Sequence, residues 1–252
     1  MVLPLYDDNT GRQTTPVINY AIIALNIFVF VVLQGLGSND QFTYSFSTVP
    51  LEILQGRDIV TPPQMVEYMG QLVRLPGLGP TPVSVYLTLF TSMFMHGSLM
   101  HLGGNMLFLW IFGDNIEDRL GHLRYLIFYL LCGVLASLAH VFTTDIFATS
   151  EALLVPSLGA SGAISGVLGG YILLHPKRRV RVILLNLLTD VPAYVAIGIW
   201  FVFQLISGLG ILGGGTQSGG VAYAAHVGGF VAGLVLIKFF DRGGSRPRAP
   251  AY

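Results

Sequence analysis

The sequence predicts an all-α, polytopic membrane protein whose core is a bundle of six transmembrane helices. Three observations favour this fold class. First, 53% of the 252 residues are hydrophobic and 10% are charged, whereas about a quarter of the residues in soluble domains are charged. Second, several apolar runs approach the length of about 20 residues that a helix needs to cross a bilayer. Third, a six-span arrangement collects nearly all positive charges on one side of the membrane.

Six apolar stretches are the candidate transmembrane helices, and they define a membrane core at residues 17–240. A polar tail, residues 1–16, precedes the core, and a short basic tail, residues 241–252, follows it. Because the first tail lacks the basic start and apolar core of a signal peptide, we expect the first stretch to be a retained anchor. We place the spans at residues 17–36, 98–115, 125–142, 159–174, 193–212 and 221–240.

The connections between the spans differ in length and polarity. Residues 37–86 are mixed in polarity and contain six prolines, which predicts a long, structured extracytoplasmic loop against the membrane surface. Within this loop, residues 51–54 and 65–72 are short amphipathic segments. A short charged turn at residues 117–124 joins the second and third spans. Residues 182–192 are apolar but interrupted by polar residues and a proline, as is typical of an interfacial stretch.

The distribution of basic residues predicts the orientation. With the N-terminus in the cytoplasm, the cytoplasmic segments together with the cytoplasmic end of the sixth span contain 11 of the 13 Lys and Arg residues, and only Arg57 and Arg74 lie outside. Cytoplasmic segments of membrane proteins carry such an excess of positive charge. We therefore expect a multi-pass protein of the cell membrane with both termini in the cytoplasm. Nothing in the sequence resembles a nucleic-acid-binding patch.

The fourth span opens with a run of small residues, Gly159-Ala160-Ser161-Gly162-Ala163-Ile164-Ser165-Gly166. Glycines at positions 162, 166 and 170 are four residues apart, so they form one smooth helix face for close packing. Taken alone, the run is interpreted as a packing seam whose serines bond back to their own helix. The polar residues of two other spans favour a chemical role for Ser161 instead.

Polar side chains of the second, fourth and sixth spans are predicted to meet at one depth. These three spans run in the same direction, so their N-terminal ends share the outer leaflet. Ionisable side chains within a membrane are costly, and they point to function. The residues at this level are His96, His101, Asn105, Ser161 and His226.

Ser161 and His226 suit nucleophilic catalysis. A serine hydroxyl becomes nucleophilic when a neutral imidazole takes its proton. His226 is the best candidate base, because Gly229 and Gly233 allow its helix to approach the glycine face of the fourth span. Since no Asp or Glu lies at this depth, we expect a Ser–His dyad rather than a triad. A neutral imidazole is needed, so activity should fall in acid.

Several assignments around this pair remain open. Asn105 lies four residues after His101, so both project from one helix face and can serve, with the serine amide, as oxyanion donors. Asn105 can alternatively be a hydrogen-bonding contact between helices. His96 and His101 can be metal ligands with His226, but their spacing of five does not suit a metal-binding helix face. Ser165 is a rival nucleophile for which we favour a packing role.

In combination, these motifs resemble the rhomboid family of intramembrane serine proteases. The similarity covers residues 17–240 in span count, orientation and motif order. It implies a rhomboid-like bundle in which Ser161 is the nucleophile, His226 the general base, and His101 and Asn105 donors to the oxyanion. The motifs that carry it are Gly159-Ala160-Ser161-Gly162, His226, and the series His96, His101 and Asn105.

The resemblance also implies supporting roles. His96 is a structural neighbour of the site, and Gly159 and Gly162 flank the nucleophile. Glu117 and Arg119 match the Glu-x-Arg motif of the family, which implies a buried or half-buried ion pair that anchors their turn.

Two positions depart from the family pattern. Leu87 and Thr88 stand where the first loop of many members has Trp-Arg. Ser165 stands where some members have a tyrosine that stacks on the catalytic histidine. The first departure concerns how the loop docks to the membrane, and the second concerns the packing around His226.

The expected function is hydrolysis of peptide bonds in or near transmembrane segments of other proteins, through an acyl-enzyme intermediate. The expected partners are transmembrane protein substrates and the lipid bilayer, without a cofactor or a metal ion. One alternative is a catalytically silent relative that binds or escorts membrane proteins. A second is a small transporter that uses the polar cavity, although we find no convincing internal repeat of the kind that transporters often have.

Overall fold

Helices account for most of the chain in the computed structural model, which describes residues 2–68, 71–184, 186–209 and 223–241. In chain order, the helices are α1 (Val17–Phe28), α2 (Asp40–Ser45), α3 (Pro50–Gln55), α4 (Thr88–Thr91), α5 (Leu99–Leu120), α6 (His122–Phe147), α7 (Ser161–Leu174), α8 (Ala193–Gly208) and α9 (Tyr223–Phe240). The strands are β1 (Val2–Asp7), β2 (Gln64–Tyr68), β3 (Gln71–Leu75), β4 (Arg179–Leu184) and β5 (Leu187–Pro192).

Six of these helices coincide with the six apolar stretches of the sequence: α1, α5, α6, α7, α8 and α9. Helix α1 continues as a π-helical turn over Val29–Leu33. Within the described residues, α6 and α9 are long and apolar enough to cross a membrane. The remaining predicted spans stay predictions, as does the division into two tails and a membrane core. Residues 210–212, 221–222 and 242–252 of the predicted spans and C-terminal tail lie outside the described residues.

The predicted turn between the second and third spans is helical. Helix α5 continues through residues 117–119 to Leu120, and α6 begins at His122, so Gly121 alone connects them. Its φ of +80° favours glycine. Helix α5 extends beyond the apolar run. Its last turns carry polar side chains, and the N-terminal segment covers these side chains. Asp114 pairs with Arg12, for example, and the Asp118 carboxylate accepts the backbone N–H of Thr14 at 2.7 Å.

Glu117 and Arg119 have different partners. We expected one ion pair to anchor this part of the chain, and the structure divides that role between two contacts. The buried Glu117 carboxylate accepts the backbone N–H groups of Ile18 and Asn19 at 2.9 and 2.7 Å, so it caps the first turn of α1. Arg119 pairs with Asp241 at 2.9 Å, beyond the end of α9. Residues two apart on a helix face different directions, which separates their partners.

Two small sheets correct the all-α prediction. Strand β4 pairs antiparallel with both β1 and β5, so the N-terminal tail joins a three-stranded sheet with the segment we had interpreted as interfacial. Val180 and Val182 of β4 are fully buried, in the alternation of a half-buried strand. Strands β2 and β3 pair antiparallel and overlap residues 65–72, for which the sequence predicts a short amphipathic segment. The other such segment, residues 51–54, lies in α3.

Helix α7 lies at the centre of the bundle. All residues from Gly162 to Tyr171 are buried, as expected for a helix that is apolar on every side. Its glycines pack against two helices: Cβ atoms at positions 162 and 166 would meet α6, and the carbonyl groups of the same residues meet α9. A Cβ atom at Gly233 would lie 2.0 Å from the carbonyl oxygen of Gly166, and one at Gly229 would lie 2.1 Å from that of Gly162. The two backbones are therefore in contact, and α9 is held in a fixed register against the start of α7.

Candidate active site

Ser161 is the first residue of α7 and is presented by a glycine turn. Gly159 has a φ of +121°, and its N–H donates to the carbonyl oxygen of Ser92 at 2.9 Å. A Cβ atom at Gly159 would lie 2.8 Å from the imidazole of His101. One at Gly162 would lie 2.7 Å from the Cβ of Ala136. Both glycines that flank the serine are therefore required by close contacts, and Ser161 itself lines a cavity.

The hydroxyl of Ser161 is hydrogen-bonded to His226. The distance between Ser161 Oγ and His226 Nε2 is 2.8 Å, although the residues are 65 positions apart in the sequence. The register of α9 against α7 sets this distance, because His226 lies three residues before Gly229 and hence about one turn from the backbone contact between Gly229 and Gly162. A serine within hydrogen-bond reach of an imidazole is the geometry in which the imidazole can take the hydroxyl proton.

The other nitrogen of His226 is bonded to Gln204, a residue that our sequence analysis missed. Gln204 lies on α8 with 7% of its surface exposed, and its Oε1 is 2.7 Å from His226 Nδ1. We had expected His226 to lack an orienting partner because no carboxylate lies at this depth. A neutral amide takes that position. A glutamine within an otherwise apolar helix was the available signal.

Aromatic rings surround the imidazole. The Trp200 ring, one turn before Gln204 on α8, lies 6.1 Å from the His226 ring at an interplanar angle of 36°. Tyr223 lies 6.4 Å away, nearly perpendicular. We had noted that Ser165 replaces a tyrosine that stacks on the histidine in some members of the rhomboid family. Here a tryptophan from a different helix supplies an aromatic neighbour.

A cavity of about 280 Å³ adjoins this pair. Its walls include His101 and Asn105 from α5 beside Ser161 and His226. The Nδ2 atom of Asn105 is buried and has no hydrogen-bond partner within the described part of the chain. A buried donor without a partner is costly. Because Asn105 lines the cavity, a ligand bound there could accept this hydrogen bond and offset the cost. The structure thus brings four of the five predicted polar residues to one space.

His96, the fifth of these residues, packs behind His101. Its side chain is fully buried, and the two imidazole rings lie 5.1 Å apart at an angle of 67°. The backbone of His96 is held on both sides by Gln34, whose Oε1 accepts its N–H at 3.0 Å and whose Nε2 donates to its carbonyl at 2.9 Å. His96 therefore supports the ring of His101.

Ser165 is bonded within its own helix. Its side chain is fully buried, and its hydroxyl donates to the carbonyl oxygen of Ser161 at 2.7 Å. No group of three or more His, Cys, Asp or Glu side chains that could hold a metal ion occurs within residues 2–68, 71–184, 186–209 and 223–241.

These groups together suit acyl transfer: a serine, a base in contact with it, an orienting partner for the base, and an unpartnered donor on a residue that lines the same cavity. The chain belongs to the rhomboid family. The family model of the Rhomboid domain matches residues 84–242, a range that includes all five predicted polar residues.

Curated proteins of this family are similar to the chain over more than half of its length. "Rhomboid protein 1, mitochondrial" of Saccharomyces cerevisiae is 31% identical over 166 residues, which cover 66% of this chain and 45% of that protein. "Presenilin-associated rhomboid-like protein A, mitochondrial" of Danio rerio is 31% identical over 173 residues, 67% of this chain and 41% of that protein. "Rhomboid protease GluP" of Bacillus subtilis is 32% identical over 146 residues, 58% of this chain and 24% of that protein. The chain thus aligns with less than half the length of each relative.

Proposed function

We propose that this protein is an intramembrane serine endopeptidase that hydrolyses peptide bonds in or near the transmembrane segments of other membrane proteins. The observation that carries the proposal is the 2.8 Å contact between Ser161 Oγ and His226 Nε2, beside a cavity that is also lined by Asn105, whose Nδ2 has no partner among the described residues. Membership of a family that includes a protein named as a protease supports it.

In the acylation step, His226 Nε2 takes the proton of Ser161 Oγ while that oxygen attacks the carbonyl carbon of the scissile peptide bond. The negative charge that develops on the carbonyl oxygen is stabilised by Asn105 Nδ2 and by His101, with the amide of Ser161 as a further donor. The protonated imidazole then gives its proton to the leaving nitrogen, and the carbon–nitrogen bond breaks. An ester between Ser161 and the substrate carbonyl remains.

Deacylation repeats these steps with water. His226 takes a proton from the water, the resulting hydroxide attacks the ester carbon, and the proton returns to Ser161 Oγ as the ester breaks. Water must therefore reach a site that our predicted topology places in the outer leaflet. The cavity that adjoins Ser161 has room for it, and polar groups of His101 and Asn105 line its wall.

The topology that we propose contains six spans, both termini in the cytoplasm, and a site that opens to the extracytoplasmic side of a cell membrane. The two helices of sufficient length and the charge bias of the sequence support it. The substrates would be single segments that enter from the lipid. Carbonyl groups of a stable helix are already bonded within the helix, so we expect a preference for segments weakened by Gly near their outer end.

The test is cleavage in proteoliposomes that contain the purified protein and a panel of single-span segments with and without Gly-rich outer ends. We expect Gly-rich segments to be cut within the span or near its outer end, and no cutting by Ser161→Ala. A fluorophosphonate probe that reacts with serine nucleophiles is applied to the same samples. A folded protein that neither cuts any segment nor reacts with the probe would contradict the proposal and favour the silent, escorting relative. Solute flux without probe reaction would favour a transporter.

A further inference from the structure

We propose that Gln204 is a positioning residue that holds His226 in the tautomer able to take the proton of Ser161. This inference rests on the proposed function, because it concerns the same serine and base. It assigns a third member to a site for which the sequence predicted two.

The chemistry of the contact explains the choice of tautomer. Neutral imidazole carries one proton, and only the nitrogen without it can accept another. Gln204 Oε1 faces His226 Nδ1 at 2.7 Å, and an amide oxygen is an acceptor. The proton is therefore held on Nδ1, which leaves the lone pair of Nε2 directed at Ser161 Oγ, 2.8 Å away. In the opposite tautomer Nε2 would donate to the serine and could not act as its base.

The position of Gln204 on α8 supports a specific role. Its neighbours Val202, Phe203 and Leu205 are 38–52% exposed and apolar, as expected for a face toward lipid, whereas Gln204 is 7% exposed. Burying an amide in such surroundings is costly unless it is hydrogen-bonded. Among the described residues, the side-chain partner of Gln204 is His226. Trp200, one turn earlier, lies beside the same imidazole, so one face of α8 is directed at His226.

An amide differs from a carboxylate in this position. A carboxylate would hold Nδ1–H and also stabilise the imidazolium by charge, whereas the neutral amide supplies the orientation without adding a buried charge. The expected contribution of Gln204 is thus one oriented neutral hydrogen bond. Losing it should slow activation of Ser161 about tenfold, the factor that corresponds to a bond of this kind.

The experiment compares the wild type with Gln204→Leu, which lacks the acceptor, and Gln204→Glu, which keeps it. Phe203→Leu, at the exposed neighbouring position, is the control for changes in α8. The second-order rate of fluorophosphonate labelling at Ser161 is measured on purified, folded protein in detergent. We expect labelling to slow about tenfold in Gln204→Leu and to stay within a few-fold of the wild type in Gln204→Glu and Phe203→Leu.

A second readout reports the tautomer itself. The nitrogen chemical shifts of ¹⁵N-labelled histidine are recorded, with His226→Ala to assign the signals. In the wild type we expect a protonated Nδ1 and an unprotonated Nε2 for His226, and in Gln204→Leu a shift toward the Nε2-protonated form. A merely structural role of Gln204 would not change the relative protonation of the two nitrogens.

The outcomes separate this inference from the proposed function. Absence of Ser161-dependent labelling in the folded wild type would contradict the proposed function. A labelled wild type, with Gln204→Leu equally fast and its nitrogen signals unchanged, would overturn the role of Gln204 alone. So would a Gln204→Glu variant as slow as Gln204→Leu at a pH where the nitrogen signals show its His226 to be neutral. If Gln204→Leu does not fold, Gln204→Met provides an unbranched replacement, for which the same slowing and the same overturning result apply.

Discussion

At the scale of single residues, we expect the unpartnered amide of Asn105 to donate a hydrogen bond to the oxyanion. Asn105 lines the cavity beside Ser161, and its buried Nδ2 has no hydrogen-bond partner in the described chain. Leaving a buried donor unpaired costs stability, so the position is suited to a donor that is used only when an oxyanion forms.

Replacing Asn105 by Ala should lower kcat about 100-fold with little change in KM, because the lost contact forms mainly in the transition state. Gly103→Ala on the same helix is the control, since a Cβ atom there meets nothing within 4 Å. The measurement is steady-state cleavage of a segment that the wild type cuts in proteoliposomes. An Asn105→Ala enzyme with full kcat would exclude this amide from the oxyanion site.

Most residues of the site can be identified from the sequence alone. Ser161, His226, His101 and Asn105 were identifiable because each is a polar group within an apolar stretch, and predicted topology gave all of them one depth. Gln204 carried the same signal, but its span contains no His, Asp, Glu, Lys or Arg that would point to a site. The 2.7 Å contact with His226 depends on how α8 rotates about its axis, which the sequence alone does not specify.

At the scale of elements, the contact between α7 and α9 controls the site. The two helices approach so closely that a Cβ atom at Gly233 would overlap the carbonyl oxygen of Gly166. His226 and Gly233 lie on the same helix, seven residues apart, so any separation of the helices is transmitted to the Ser161–His226 distance. Spacing of four between glycines predicted a packing face. In the structure, the Cβ positions of Gly162 and Gly166 face α6, and the carbonyl groups of these two residues contact the glycines of α9.

Gly233→Ala should destabilise the folded protein by about 1–3 kcal/mol through overpacking and slow fluorophosphonate labelling at Ser161. Gly198→Ala on α8 is the matched control, because a Cβ atom there meets nothing within 4 Å. Since Ala is the better helix former, that control should be neutral or slightly stabilising. Thermal unfolding in detergent provides the measurement. Equal unfolding temperatures for the two variants would contradict the close approach of α7 and α9.

The pairing of the strands is what the sequence does not specify. Residues 2–7 and 179–184 form an antiparallel pair. Residues 179–182 alternate Arg and Val, a strand signal that we did not use, and both segments are short. Pairing between segments so distant in the chain is decided by tertiary packing, which overrides local preference. The helices were predictable because each needs only its own apolar stretch, whereas their exact ends were not. Polar residues at the end of α5 remain helical when the N-terminal segment covers them.

At the scale of the whole molecule, the N-terminal segment is tied to the bundle by a buried polar cluster. Asp7 is 1% exposed, and its Oδ2 accepts hydrogen bonds from Tyr171 at 2.6 Å and Asn115 at 2.7 Å. Arg178 donates in turn to the side chain of Asn115. Burial, opposed in part by the bond from Tyr171, raises the pKa of Asp7 to about 7. The cluster joins β1, α5, α7 and the segment that leads to β4.

This raised pKa predicts a pH dependence of stability. Between its ordinary pKa near 4 and about 7, Asp7 is protonated in the folded protein and ionised in the unfolded chain. The free energy of unfolding therefore falls as pH rises, until the folded protein also releases this proton. Between pH 6 and pH 8, where that release takes place, the decrease in the free energy of unfolding is about 1 kcal/mol. Asp7→Asn cannot ionise, so its stability relative to the wild type should increase over the same interval. Unfolding in detergent at both pH values measures the difference, and a constant difference would contradict the shift.

The measurement that tests the central claim most directly is the position of the adduct after reaction with a fluorophosphonate. The purified, folded wild type is labelled, digested and analysed by mass spectrometry, beside Ser161→Ala, Ser165→Ala and His226→Ala. We predict a single adduct on Ser161, retained in Ser165→Ala and lost in the other two variants. An adduct on Ser165, or labelling that survives loss of His226 at the wild-type rate, would contradict a Ser161 nucleophile activated by His226.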